Sequence, residues 1–200
     1  MSLTIKEHSG GGNFQIAPAG NHVAICYQMI ELGQLYDKKY DKWSRKVLLG
    51  WELPMETMDD GRPFIVSNRF TASLGENAAL RRQLESWRGR PFSAEELAGF
   101  DLKAVLGKPC MVNIVHKQVG DKTYANITSI TPLPKGMEVP AQQNANQVFE
   151  FGDQGFDEAT FNGLSDGLKR VISESKDYQM LTGSDQAVAS QEELSDDIPF

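Results

Sequence analysis

The chain has 200 residues, 40% of them hydrophobic and 24% charged, and a formal net charge of −7. That suits one soluble domain of ordinary size with something added, and no run approaches the roughly 18 apolar residues of a membrane-spanning helix. The charge is unevenly divided: residues 1–140 carry 17 Lys+Arg against 15 Asp+Glu, and residues 141–200 carry 3 against 12. A mildly basic body with a strongly acidic end is expected to meet two kinds of partner. The N-terminus lacks a basic stretch followed by an apolar one, so the expected location is the cytoplasm. Cys26 and Cys110, each set among β-type residues, are expected as reduced core thiols rather than as a disulfide.

Residues 1–13, with Gly10, Gly11 and Gly12 in a row, read as a flexible arm. From Gly20 to Gly33 apolar side chains occupy both alternation sets (Val23, Ile25, Tyr27, Met29 and Ala24, Cys26, Ile30, Leu32). This predicts a long strand buried on both sides over part of its length. Residues 46–53 and 63–74 predict the second and third strands, joined by the turn signal "MDDGRP". The period then changes. Ala79, Leu80, Leu84 and Trp87 recur at helical spacing within residues 75–89, and Gly89 with Pro91 ends that helix. Ser93 and Glu96 form a capping box that opens a second short helix. Residues 108–119 and 122–133 predict two further strands around the turn at Gly120 and Asp121.

Five strands with a helical connection between the third and fourth is the element order of the OB-fold, a partly open five-stranded barrel that binds oligonucleotides and oligosaccharides. The fold class expected is therefore mainly β, with the OB-fold domain over residues 14–138. Residues 139–181 read as a linker in which Phe161, Leu164, Leu168 and Val171 mark an amphipathic helix over 156–172, weakened by Gly163 and Gly167. Residues 182–200 hold five acids and no Lys or Arg, and are expected to form a disordered acidic tail.

Spacing offers no active site. His8, His22 and His116 lie in no metal-ligand pattern, the triple glycine lacks a following Gly-Lys-Ser/Thr, and Asp59 with Asp60 is turn chemistry. No enzymatic activity, cofactor or metal is expected. The informative stretch is "LYDKKYDKWSRK", residues 35–46, between the first two strands. Lys38, Lys39, Lys42, Arg45 and Lys46 outnumber Asp37 and Asp41, with Tyr36, Tyr40 and Trp43 set among them. Cations hold a phosphate backbone and aromatic faces stack on unpaired bases, and a single strand needs both. The same composition fits a solvated loop whose aromatics fold back over the core. Arg69 on the outward face of the third strand is a further candidate contact, as are Lys117 and Lys122 beside the last turn. Arg81, Arg82, Arg88 and Arg90 read as a solvated helix face.

The body resembles the single-stranded DNA-binding proteins encoded by tailed bacteriophages, in "HVAICYQMIELG", "KVLLGWELP", "LESWRGRPFSAEELAGFDL" and "GKPCMVNIVHK" followed by "YANITSITPLPKG". Separately, the terminal "SDDIPF" is similar to the acidic tip of bacterial single-stranded DNA-binding proteins, which replication, recombination and repair proteins dock. The resemblance implies an OB-fold core that coats single strands without sequence preference. It also implies a tail whose Asp196, Asp197, Ile198, Pro199 and Phe200 recruit partners. The bacterial tetramer is not implied, because the body departs from that family. A reading from another class is an OB-like module that grips a protein partner and binds no nucleic acid.

Overall fold

The computed structural model describes residues 15–38, 40–152 and 155–183. The expected N-terminal arm, Lys39 and the tail from residue 184, including Asp196 to Phe200, lie outside the described residues. Six strands form among the described residues, in chain order: β1 (Gly20–Asp37), β2 (Lys42–Thr57), β3 (Pro63–Thr71), β4 (Pro109–Val119), β5 (Lys122–Thr131) and β6 (Gln147–Phe149). Their hydrogen-bonded order is β3-β2-β1-β4-β5, antiparallel throughout, and β6 joins β1 in parallel. The fold is thus mainly β, with β3 and β5 ending the path.

β1 organises this arrangement. Its first six residues pair with β4, Gln28 to Ile30 pair with β6, and β2 runs along its other edge from Ile25 to Asp37. Two bulges interrupt the β1–β2 register, one between Cys26 and Gln28 and one between Glu31 and Gly33. An extra residue flips the alternation of everything beyond it. Ala24 and Cys26 therefore share a core with Met29, while Ile30 and Leu32 face the opposite way. The apolar character of both alternation sets has this physical origin.

The larger core collects side chains from all five strands of the main path. Cys26, Leu49, Trp51, Val66, Phe70, Val112 and Ile130 are all buried there. It is closed by α1 (Ala79–Arg88), whose Leu80, Leu84 and Trp87 are buried at helical spacing, and Trp87 Nε1 donates to the Pro109 carbonyl at 2.9 Å. Gly89 ends α1 at φ 67°, a left-handed conformation that glycine adopts without a Cβ clash. The capping box of α2 (Ala94–Ala98) forms as the spacing predicts, with Ser93 Oγ accepting from Glu96 N and a Glu96 carboxylate oxygen accepting from Ser93 N. Both cysteines are free and buried, and burial pushes the Cys26 thiol up to about 12.

Residues 139–181 differ from the expected linker. After β6 come α3 (Glu158–Asn162), α4 (Asp166–Ser173) and α5 (Lys176–Thr182), where one helix over 156–172 was expected. Gly163 and the N-caps Ser165 and Ser175 divide the stretch, because each serine accepts from a backbone N–H and starts a new helix. These elements cover the second face of β1 and β2. Ile30, Leu32 and Leu48 pack with Phe149, Leu164 and Ile172, and the rings of Phe151, Phe156, Phe161 and Tyr178 gather around Phe149. A buried carboxylate fixes the approach to this segment: Glu52, with no solvent exposure, accepts from Gln143 N, Asn144 N and Asn144 Nδ2 at 2.6–2.7 Å.

Among the described residues no helix is long and apolar enough to cross a membrane. Two outcomes are expected for stability. Glu52→Ala leaves two backbone N–H groups without their acceptor and should cost about 3 kcal/mol in denaturant titrations. The Glu96 carboxyl is held down at about 2, first by Arg90, then by the Ser93 N–H and Arg88. A depressed carboxylate contributes fully above its ordinary value near 4.5 and is lost as pH falls through the folded value. The stability advantage of the protein over Glu96→Gln should therefore persist at neutral pH and disappear by about pH 2.

Candidate nucleic-acid interface

β1 and β2 run on past both cores, so most of the stretch expected as a loop is a two-stranded stem. Leu35, Tyr36 and Asp37 pair with Ser44, Trp43 and Lys42. Asp41 completes the turn at φ 49°, a left-handed conformation that Asp tolerates better than most residues. Directly opposed residues of an antiparallel pair share a face, and Tyr36 and Trp43 accordingly meet with ring centroids 5.4 Å apart at 54°. The Tyr36 hydroxyl donates to Asp41, which holds the phenol above its usual range. Tyr36 is 45% exposed, Trp43 40% and Tyr40, in the turn, 61%. Cations lie against two of these rings: Lys42 Nζ is 5.8 Å from the Tyr40 centroid and Lys176 Nζ of α5 is 4.6 Å from that of Trp43.

Alternation divides the expected contact residues between two faces. Tyr36, Trp43 and Arg45 fall on one face of the stem. Lys42 and Lys46 fall on the other, and the β2–β3 register places Arg69 beside Leu48 and Thr71 beside Lys46 on that same side. Ion pairing divides them again. Arg45 Nε donates to the buried Glu31 carboxylate, and Lys46 contacts Thr71 Oγ1 at 2.9 Å and Asp37 at 3.9 Å. Lys38, Lys42, Arg69, Lys117 and Lys122 have no carboxylate partner among the described residues. Arg81 and Arg88 of α1 and Arg90 just beyond it, by contrast, are engaged: Arg81 by Glu85, and Arg88 and Arg90 by Glu96.

The outer face of β3 is open. Ile65, Ser67, Arg69 and Thr71 alternate outward, whereas Val66 and Phe70 are buried. At the Ile65 end, a cleft of about 680 Å³ separates β3 from β5 and is lined by Ile65, Ser67, Lys122, Tyr124 and Asn126. Gln15 to Ala17 form its floor, secured where His116 Nε2 meets the Ala17 carbonyl at 2.8 Å. Lys117 lies opposite Tyr124 in the β4–β5 register, so ring and cation share a face. From this cleft to Thr71, beside the β1–β2 stem, the outer face of β3 spans about 20 Å at the usual strand rise.

Sequence reasoning did not single out Tyr124, Ile65 or Lys176. Tyr124 could have been found by alternation, because Ala125 and Ile127 turn inward and Tyr124 and Asn126 outward. Lys176 carried no local signal, since it reaches Trp43 only through the docking of α5. Among the described residues no three His, Cys, Asp or Glu side chains come together as metal ligands. No protein-family model matches the chain, and no curated protein matches it.

The three tryptophans differ sharply, with Trp51 fully buried, Trp87 6% exposed and Trp43 40% exposed. A neutral quencher such as acrylamide should reach one class of emitter. Trp43→Phe should remove that accessible class and leave the blue-shifted emission of the buried pair unchanged.

Proposed function

We propose that the chain binds single-stranded DNA without sequence preference, as a phage single-stranded DNA-binding protein of replication and recombination. The observation that carries this reading is the outer face of β3. It runs from the β4–β5 hairpin, which bears Tyr124, to the lysine side of the β1–β2 stem, whose turn bears Tyr40 and whose opposite face bears Tyr36 and Trp43. Arg69, Lys117, Lys122 and Lys42, cations without carboxylate partners among the described residues, lie along the route. Phosphates would meet these cations and release counterions, and bases would stack on the rings whatever their identity.

The strand order β3-β2-β1-β4-β5, with β1 shared along its length and α1 between β3 and β4, supports an OB-fold barrel whose ligand lies between the first and last hairpins. The resemblance of the body to phage single-stranded DNA-binding proteins supports the same reading. In this proposal the acidic tail, through Asp196, Asp197, Ile198, Pro199 and Phe200, recruits replication and recombination proteins. Lys39, next to Lys38 in the sequence, adds to the positive charge of residues 35–46.

Titration of labelled oligo-dT at moderate salt tests the proposal. The parent should bind the single strand and not duplex DNA, with affinity falling steeply as salt rises. Tyr36→Ala, Trp43→Ala and Tyr124→Ala should each weaken binding by about 5- to 150-fold, the loss of one stacking site. Arg69→Ala should reduce the slope of log affinity against log salt by about one. A parent that responds to neither single-stranded nor duplex DNA would sink the proposal and favour an OB-like protein-interaction module.

A further inference from the structure

Between the β1–β2 stem and α5 lies a second cleft, of about 390 Å³, within the roughly 300–1,000 Å³ usual for small-molecule sites. Its walls are fixed by the fold. Ser175, the buried N-cap of α5, occupies space that only glycine leaves: a Cβ at Gly33, whose φ is 74°, would come within 2.5 Å of Ser175 Oγ. One residue further on, the Gln34 N–H donates to Asp177 Oδ2 at 2.5 Å. Trp43, Met180 and Leu181 supply half-exposed apolar surface, and Arg45 and Asp177 supply one charge of each sign. Ser44 also lines the cleft, and its hydroxyl is covered from solvent with no hydrogen-bond partner among the described residues. A covered, unpartnered hydroxyl is unfavourable, and a ligand that displaced its cover and satisfied it would recover that cost.

We propose that this cleft takes one nucleobase carrying an exocyclic amine. The inference rests on the single-strand reading above and adds to it a place where one base leaves the stack. A flat ring can lie against Trp43 with Met180 and Leu181 beside it. Ionised Asp177 is acceptor-only and keeps acceptor capacity beyond its bond to Gln34. The edge it meets should present an exocyclic amine, as adenine, cytosine and guanine do; thymine has only its ring N3–H, set between two carbonyl oxygens that a carboxylate repels. The Arg45 side chain is 59% exposed despite its bond to Glu31, which leaves donors for the adjoining phosphate. Lys176, over the Trp43 ring, holds that ring in place.

Oligo-dC, oligo-dT and free dCMP, each titrated into the full chain and into Ser44→Ala, Asp177→Asn and Met180→Ala, test the proposal with thermal melts as the control for folding. Ser44→Ala should leave the melt unchanged or raise it, because the hydroxyl it removes is covered and has no partner, and Met180→Ala should leave it unchanged, because that side chain is 59% exposed. Both should weaken oligo-dC binding by about two- to tenfold. Asp177→Asn keeps an acceptor for Gln34 and should lower the ratio of dC to dT affinity by a similar factor. Saturable quenching of Trp43 by dCMP would assign the cleft to free nucleotides as well as strands, and quenching by the oligomer alone would assign it to a base within a strand. If the parent binds both oligomers and all three variants match it in affinity and in dC to dT ratio, the cleft is not a base site and the single-strand reading stands. Failure of the parent to bind either oligomer removes both.

Discussion

The burial of β1 on both faces is the constraint from which the rest of the structure follows. A strand that exposes apolar side chains alternately to two sides needs two cores, and a single sheet curled around one core supplies only one. The five-stranded path and α1 form the first. The second is assembled from residues far along the chain, because Ile30, Leu32 and Leu48 would otherwise face water. Phe149 and the aromatic side chains around it fill that need, and β6 is held in place by pairing along the stretch of β1 that β4 has left. Glu52 serves the same end by a polar route. Its buried charge is tolerable because the backbone that must cross it, at Gln143 and Asn144, provides the donors.

The two bulges in β1 turn this packing requirement into surface geometry. Each adds one residue and reverses the side on which later residues stand. By the time β1 reaches Tyr36, two reversals have occurred, and the aromatic pair falls on the side that holds Glu31 and Arg45 rather than on the side of Lys46 and Arg69. The stem carries rings on one face and lysines on the other. α5 then docks at Gly33 and Gln34, near the base of the stem, and brings Lys176 to Trp43 and Met180 to the cleft. The C-terminal helices are therefore both the lid of the second core and a wall beside the exposed aromatics.

Much of this could be read in the sequence wherever one local rule governed. The helical spacing of Leu80, Leu84 and Trp87, the Ser93–Glu96 box and the turn at Gly120 each depend on neighbours within four residues, and each formed as expected. The double apolar pattern of β1 was legible as two-sided burial, but its partner was not. Phe149, Phe151, Phe156 and Phe161 have no common period, and Gly, Asp and Glu residues separate them. They converge through three-dimensional packing alone, so the segment reads as a linker. The stem was missed for a similar reason. Lys, Asp and Ser are poor strand formers, and the pairing of Tyr36 with Trp43 and of Asp37 with Lys42 overrides that preference across the strands. Composition identified the candidate residues on this stem, and only the register could say which of them share a face.

Electrostatics shows the same division between local and distant causes. Residues 1–140 are almost neutral, with a net charge of +2, so a cationic face can arise only if carboxylates are used up elsewhere. Glu85 and Glu96 bind Arg81, Arg88 and Arg90 at the helical end of the domain, and Asp60 binds Arg62 in the turn before β3. Glu52 is spent on backbone donors and Glu31 on Arg45 and the Phe151 N–H. With the acids engaged at these sites, Arg69, Lys117 and Lys122 are left without an ion-pair partner among the described residues. An exposed cation that no carboxylate holds in an ion pair attracts a polyanion more strongly than a paired one, because its charge is not cancelled at contact before salt screens it over about 8–10 Å. A sequence with little net charge can thus present a polarised surface, and the pairing pattern rather than the total decides where it lies.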